Sequence, residues 1–439
     1  MGKTRALVSA CAGAALIAAA GCGGGPATDG DASGPDADPG ALSGAITVLT
    51  QRTDLVDDGS MAAYATEFNR VHPGVTVRFE GITDYEGDVR ARMDTGEYGD
   101  VLMIPGSVAK NDYPEFFAPL GEASDLSETY RFTDKSEVGG KVYGLAQFGT
   151  ANGFVHNRAV WREAGVTAWP GTTREFLDAL QAIKDTTDAT PYYTNYKDGW
   201  PLVQWTANTG SVTCDGGAGD ALAGPVSPWG IGGELGVVDG LLHDIVEDGL
   251  AEEDPTATDW EKSKKLLAEG RIGTMMLGSW SITQMQKAAE EAGGLASDIG
   301  FLPFPARKAG TFCATLVSDY QQAVSIHSEH QEAARAWIDW FTDESGYSEK
   351  EGAVPTSRSA PMPPSLKDFV DGEVTFVERS EARTATVNAV DEAAGIGLNE
   401  PGYRRKLIDI ARGAREGSLD DYFAGLDKRW DEAAETAGL

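Results

Sequence analysis

Hydrophobic positions return along the chain at two periods. Ala45 to Thr50 (AITVLT), Val75 to Glu80 (VTVRFE) and Asp100 to Ile104 (DVLMI) are short apolar or alternating runs, which predicts three strands. Between the first two, Met61, Tyr64, Ala65, Phe68 and Val71 recur at spacings of three and four, the mark of one helix face. Pro73-Gly74 stops that helix. Strand, helix, strand, helix, strand predicts an α/β lobe whose working loops lie beyond the carboxyl ends of the strands.

A second lobe is expected from about Gly140. Thr172 to Glu175 reads as a capping box, opening a helix with Phe176, Leu177, Leu180 and Ile183 on one face. Thr190 to Tyr196 predicts a strand that sends the rings of Tyr192 and Tyr193 to opposite faces. Residues 207–236 are rich in Gly, Ser and Pro and predict loops, with Cys214 inside them. Helices are expected near 236–247, 259–269, 281–292, 329–342 and 402–415. Thr274 to Leu277 reads as a buried strand that thins to Gly278-Ser279 directly before Trp280.

Charge narrows the function. With 68 acidic against 36 basic residues the formal net charge is −32, which argues against a nucleic-acid partner, since phosphate binding needs a basic face. Lys3 and Arg5 precede an apolar stretch from Leu7 to Ala20, too short for a comfortable membrane span. Ala19-Ala20-Gly21-Cys22 resembles the lipobox of bacterial lipoproteins. Residues 1–21 are then a signal peptide, Cys22 the lipidated N-terminus, and residues 22–43 a flexible tether without large apolar side chains. The expected location is the outer face of the cytoplasmic membrane, held there by lipid alone. Cys11 leaves with the leader, so Cys214 and Cys313 remain, and two cysteines outside the cytoplasm are expected to form a disulfide. The five histidines are scattered, and Gly23-Gly24-Gly25 lacks the strand and helix of a phosphate loop, so no cofactor or metal is expected.

Phe68-Asn69-Arg70-Val71-His72-Pro73-Gly74-Val75-Thr76-Val77 resembles a segment of family 1 extracellular solute-binding proteins, the substrate-capture lipoproteins of carbohydrate ABC importers. Gly140-Lys-Val-Tyr-Gly-Leu resembles their hinge strand. Phe154 to Asn157, Ala164 to Val166 and Trp169 to Thr173 resemble their next block. Gly270 to Trp280 and Gly352 to Pro355 complete the order. His156 stands where tyrosine is usual, and Ser318-Asp319-Tyr320 where many relatives have a glycine pair. The resemblance implies a two-lobed periplasmic-binding-protein-like α/β fold with a multi-strand hinge and an interlobe ligand cleft. Lobe 1 is expected at 44–139 plus about 308–343, and lobe 2 at 140–307 plus about 344–439. The implied partners are a mono- or oligosaccharide and the transmembrane subunits of an ABC permease, with the binding protein itself a monomer.

A sugar site needs aromatic faces for the C–H side of the ring and polar groups for its hydroxyls. Trp337 and Trp340 share a helical stripe with Ala333 and Phe341 and read as core, while Trp161, Trp260 and Trp430 read as helix packing and Trp169 as a local staple. Trp280 is expected to stack on the ligand with Ser279 beside it. Trp200, Trp205 and Trp229 stand in turn-rich stretches and divide between cleft and core. Polar candidates follow the strands: Gln51, Arg52, Thr53 and Asp54 after the first, Ser107 after the third, and Gln147, Phe148, Thr150 and Asn152 after the hinge strand. Tyr196, Lys197 and Asp198 precede Trp200, Asp319 and Tyr320 sit at a return crossing, and Arg383 is a further cation. Two alternatives stay open. One is a surface glycosidase or lyase with a carboxylate pair across the cleft. The other is a binding protein for a non-sugar solute such as a polyol, a glycerol-phosphate or a metal; the acidic balance disfavours glycerol-phosphate, though Arg52 or Arg383 could offset it locally.

Overall fold

The computed structural model describes residues 42–438 apart from Pro225, so the expected signal peptide, Cys22 and nearly all of the tether lie outside the described residues. Strand Gly44–Thr50 buries Ile46, Val48 and Leu49 and runs parallel to Val75–Gly81 along its whole length. Val48 registers with Val101 of the third strand, Val101–Met103. Helix Ser60–Val71 lays Met61, Tyr64 and Phe68 on this sheet, and the Phe68 ring meets Trp337 edge-on at 5.3 Å. Val71 departs from the expected face and is 54% exposed. The His72 ring, 4.8 Å from Phe68, takes the place over that side chain.

The first sheet is completed from far along the chain. Strand Gln321–Ser325 adds antiparallel to Val101–Met103, and also pairs with Phe117–Ala118 and Leu145–Ala146. Helix Gln331–Asp343 covers it with Trp337, Ile338 and Phe341, the core role expected for this stripe.

The second sheet is built on Gly149–Asn157. One edge of this strand pairs with Ile272–Gly278; the other is shared by Thr311–Ser318 and Ile299–Leu302. Thr190–Tyr192 and Thr375–Glu378 extend the two sides. Thr172 caps helix Thr173–Thr186 by accepting the Glu175 amide, and Phe176, Leu177, Leu180 and Ile183 are buried as the periodicity predicts. A further core of helices gathers Trp229, Tyr403, Leu426 and Trp430. Inside it the Asp239 carboxylate accepts from Arg404 at 2.7 Å, with both side chains fully buried.

Two expected boundaries move. Thr311–Ser318, placed with lobe 1 from the sequence, registers Leu316 against Ala151 and Cys313 against Thr375, so it belongs to the second sheet. Leu145–Ala146, placed in lobe 2, pairs with Gln321 and Gln322 of the first. The chain therefore passes between sheets at Gln147-Phe148, at Asp319-Tyr320, and a third time at residues 352–356. These passages lie side by side. The Gln147 amide donates to Tyr320 O at 3.0 Å, the Asp319 amide to Phe148 O at 2.9 Å, and Gly149 and Val354 exchange both backbone bonds at 2.7 and 2.8 Å. Cys214 and Cys313 form the expected disulfide, with Cα atoms 5.5 Å apart, tying the glycine-rich loop to strand Thr311–Ser318. Among the described residues no helix is long and apolar enough to cross a membrane.

Candidate ligand site

All seven residues of Ile272–Gly278 are buried, and the strand ends where it meets the start of Gly149–Asn157 beside the first crossing. The Ser279 hydroxyl accepts from the Ala151 amide at 3.0 Å and lies 3.1 Å from Thr150 Oγ1, which fixes the turn. Gly278 leaves room for the indole there. A Cβ at this position would stand 2.7 Å from Cδ1 and Nε1 of Trp280 and 2.8 Å from Thr150 Oγ1, closer than side-chain carbons approach. The indole of Trp280 thus rests on bare backbone.

Trp280 does not stand alone. Its ring centroid is 5.8 Å from Trp200 and 6.0 Å from Trp260, and those two meet edge-on at 4.8 Å. The three indoles make a corner rather than a flat stack, with interplanar angles of 42°, 63° and 81°. Asp198 joins its halves by accepting the Trp260 amide at 2.9 Å. Lys264 lies 5.0 Å from the Trp260 centroid and takes up that ring, while Trp200 remains 37% exposed.

From the first half comes a polar cluster. Arg52 donates to Asp54 at 2.8 and 2.9 Å, to the Tyr347 hydroxyl at 3.1 Å and to Glu351 at 2.7 Å. These partners raise the Arg52 pKa further above its ordinary value and hold the Asp54 carboxyl below the usual range. Asp319 goes the other way, since desolvation at the crossing pushes its carboxyl up. Tyr320 donates to Glu86 at 2.9 Å, and its phenol is pushed up by burial and that carboxylate. Five buried polar atoms without a partner lie nearby: Gln51 Oε1, Gln147 Oε1, Ser318 Oγ and both amide atoms of Gln321. Such atoms are costly unless a ligand or water meets them.

Several sequence candidates are committed to the core or to local bonds. Trp205 is fully buried beside Phe154 and Tyr192, because residues 204–208 coil inward as a short 3-10 helix. Trp229 is 3% exposed and donates to Asp239 at 2.9 Å, so it is core as well. Asn152 is 1% exposed and turns its amide to Thr315 within the second sheet. The Tyr196 hydroxyl donates to Asp409, and its ring lies between Arg405 and Arg412. The Lys197 amide donates to Thr258, and Asp198 serves as a helix cap rather than a free acceptor. Arg383 is exposed and donates to Ala223 O at 2.7 Å. Thr53 opens a short helix, Thr53–Asp57, and Ser107 is exposed after the third strand. Phe148 packs on Tyr347 at 5.9 Å.

Trp260, Tyr347, Glu351 and Gln321 join these clusters unannounced. Trp260 had a signal, an Asp-Trp step at a helix start, which marks a side chain on a first turn. Concavities of 540 to 550 Å³ occur elsewhere, one of them among His156, Arg158, Trp161 and Trp169, and none is lined by a residue expected in the ligand site. Among the described residues one trio has metal-ligand spacing, His243, Asp244 and Glu247, on the final turns of helix Glu234–Glu247.

Comparison with known proteins places this arrangement. A manno-oligosaccharide specific solute binding protein from Bifidobacterium animalis subsp. lactis, solved in complex with mannotriose, superposes with a TM-score of 0.77. It is 28% identical over 90% of this chain and 95% of its own. The diacetylchitobiose binding protein DasA of Streptomyces coelicolor is 22% identical over 78% of this chain and 80% of its own. The multiple sugar-binding protein of Streptococcus mutans is 19% identical over 68% and 70%. The family model described as bacterial extracellular solute-binding protein matches residues 52–347, and with two sheets, three crossings and an aromatic corner beside them, the chain belongs to that family.

Proposed function

We propose that this protein captures an oligosaccharide between its two halves and delivers it to an ABC permease. The observation that carries the reading is the corner of Trp200, Trp260 and Trp280 at the end of strand Ile272–Gly278, beside a crossing rich in unpartnered polar atoms. Indole faces cover the apolar side of a sugar ring, and Gln51, Gln147, Ser318, Asp319 and Gln321 would meet its hydroxyls. Ligand touching both halves stabilises the closed arrangement by as much as its affinities for the two states differ. No bond is made or broken, and the protein works as a monomer. The relatives named for manno-oligosaccharide, diacetylchitobiose and multiple sugars support a saccharide ligand.

Arg52 and Arg383 do not favour the phosphate reading. Arg52 is committed to Asp54, Tyr347 and Glu351, and Arg383 joins none of the groups at the crossing, donating instead to Ala223 O. Cys22 carries the lipid that holds the protein outside the cell. Calorimetry with mannotriose, raffinose, diacetylchitobiose and maltotriose tests the core of the reading. At least one should bind and remain unhydrolysed, and Trp280→Ala should weaken it tenfold or more. Turnover of the bound sugar would instead favour the glycosidase. Radiolabelled palmitate should enter wild type and not Cys22→Ala.

A further inference from the structure

We infer that Asp319 sets the ligand specificity of this cleft: it accepts paired hydroxyl donors and turns away saccharides that carry an anionic group. This rests on the saccharide reading and sharpens it. Asp319 stands in the second passage along the chain between the sheets, its amide bonded to Phe148 O at 2.9 Å. Its carboxylate is partly buried, and among the described residues no lysine or arginine nitrogen lies within 4.0 Å of it.

The cations that face it are engaged elsewhere. Arg52 divides its guanidinium among Asp54, Tyr347 and Glu351, and Lys135 stands 4.0 Å from Glu381. The other groups facing Asp319 are Glu351 and the phenols of Tyr347 and Tyr320, both pushed up and neutral, with Tyr320 bonded onward to Glu86. Carboxylates thus outnumber cations around this passage. An ionised carboxylate only accepts hydrogen bonds, so a desolvated one needs donors from its ligand. Two adjacent sugar hydroxyls supply them in bidentate form. A uronate or phosphate would bring a like charge into the same desolvated space.

The test compares calorimetric affinities of the full protein for mannotriose, maltotriose and raffinose with those for mannuronate and galacturonate trisaccharides. Wild type should bind at least one neutral trisaccharide a hundredfold or more tighter than either uronate. Asp319→Asn should lose tenfold or more on the neutral ligand and narrow the neutral-to-uronate ratio at least tenfold, whereas Asp319→Glu should keep the exclusion. Wild-type affinity should fall as pH drops through the raised range of this carboxyl, and the Asn variant should be flat there. Neutral binding with an unchanged ratio and pH profile in a folded Asp319→Asn overturns this inference alone. Failure of every saccharide to bind wild type overturns the saccharide reading and this one with it.

Discussion

The indole of Trp280 lies on Gly278 so closely that a single methyl group at the glycine would stand 2.7 Å from two of its ring atoms. The glycine before the tryptophan is therefore part of how the ring is aimed. Gly278→Ala should rotate Trp280 away from Trp200 and Trp260, weakening ligand binding tenfold or more. Overpacking at this turn should also cost about 1–3 kcal/mol of stability. Tryptophan fluorescence and calorimetry on the same sample separate the two effects. Unchanged emission with unchanged affinity would show that the ring does not depend on the glycine.

Trp200 and Trp205 stand five positions apart and should fail in opposite ways. Trp205→Ala empties a fully buried site between Phe154 and Tyr192 and should cost about 3–5 kcal/mol in denaturant unfolding. Trp200 is 37% exposed, so Trp200→Ala should leave the unfolding midpoint near wild type while weakening the ligand. A reversed pattern would place Trp200 in the core and remove it from the site.

Cys214 and Cys313 are separated by 99 positions. Closing so long a loop stabilises a fold by up to about 4.7 kcal/mol through the unfolded chain. Reduction, or a Cys214→Ala/Cys313→Ala double variant, should lower the melting temperature by several degrees while the fold persists. No change would mean that the unfolded chain is already restricted without the bond.

Glu252 accepts from both the amide and the hydroxyl of Thr194, yet burial raises its carboxyl to about 7. The folded protein then holds a proton that the unfolded chain releases at an ordinary carboxylate pKa. The contribution is full below that ordinary value and is lost as pH rises through about 7. Its size is roughly 3 kcal/mol. Glu252→Gln should remove this slope and melt higher than wild type at pH 8. Parallel melting curves for the two proteins across pH 4 to 8 would refute the assignment.

Much of the fold was legible from periodicity. The first strands and helices, the Thr172 cap and the Trp337 stripe each follow from local spacing. The sheet assignment of Thr311–Ser318 was not, because two apolar strands separated by Asp319-Tyr320 look alike whichever sheet receives them. Helix Leu419–Thr436 was legible only as a helical setting for Trp430, since the rest of its buried face is Leu426 and two alanines amid acidic residues. In the site, Trp280 was announced by the small residues before it. Trp260 was not, because its place depends on the Asp198 carboxylate, 62 positions earlier. Trp200 and Trp205 share one local composition, and only the inward coil at 204–208 tells them apart.

The strand Gln321–Ser325 has a consequence for how the protein is made. It lies inside the first sheet, between Val101–Met103 and Phe117–Ala118, yet it is synthesised some 200 residues after them. Until the ribosome has passed Ser325, those two strands have no partner between them. The amino-terminal half therefore cannot finish folding while the rest of the chain is still emerging. The delay is built into the order of the chain's own strands.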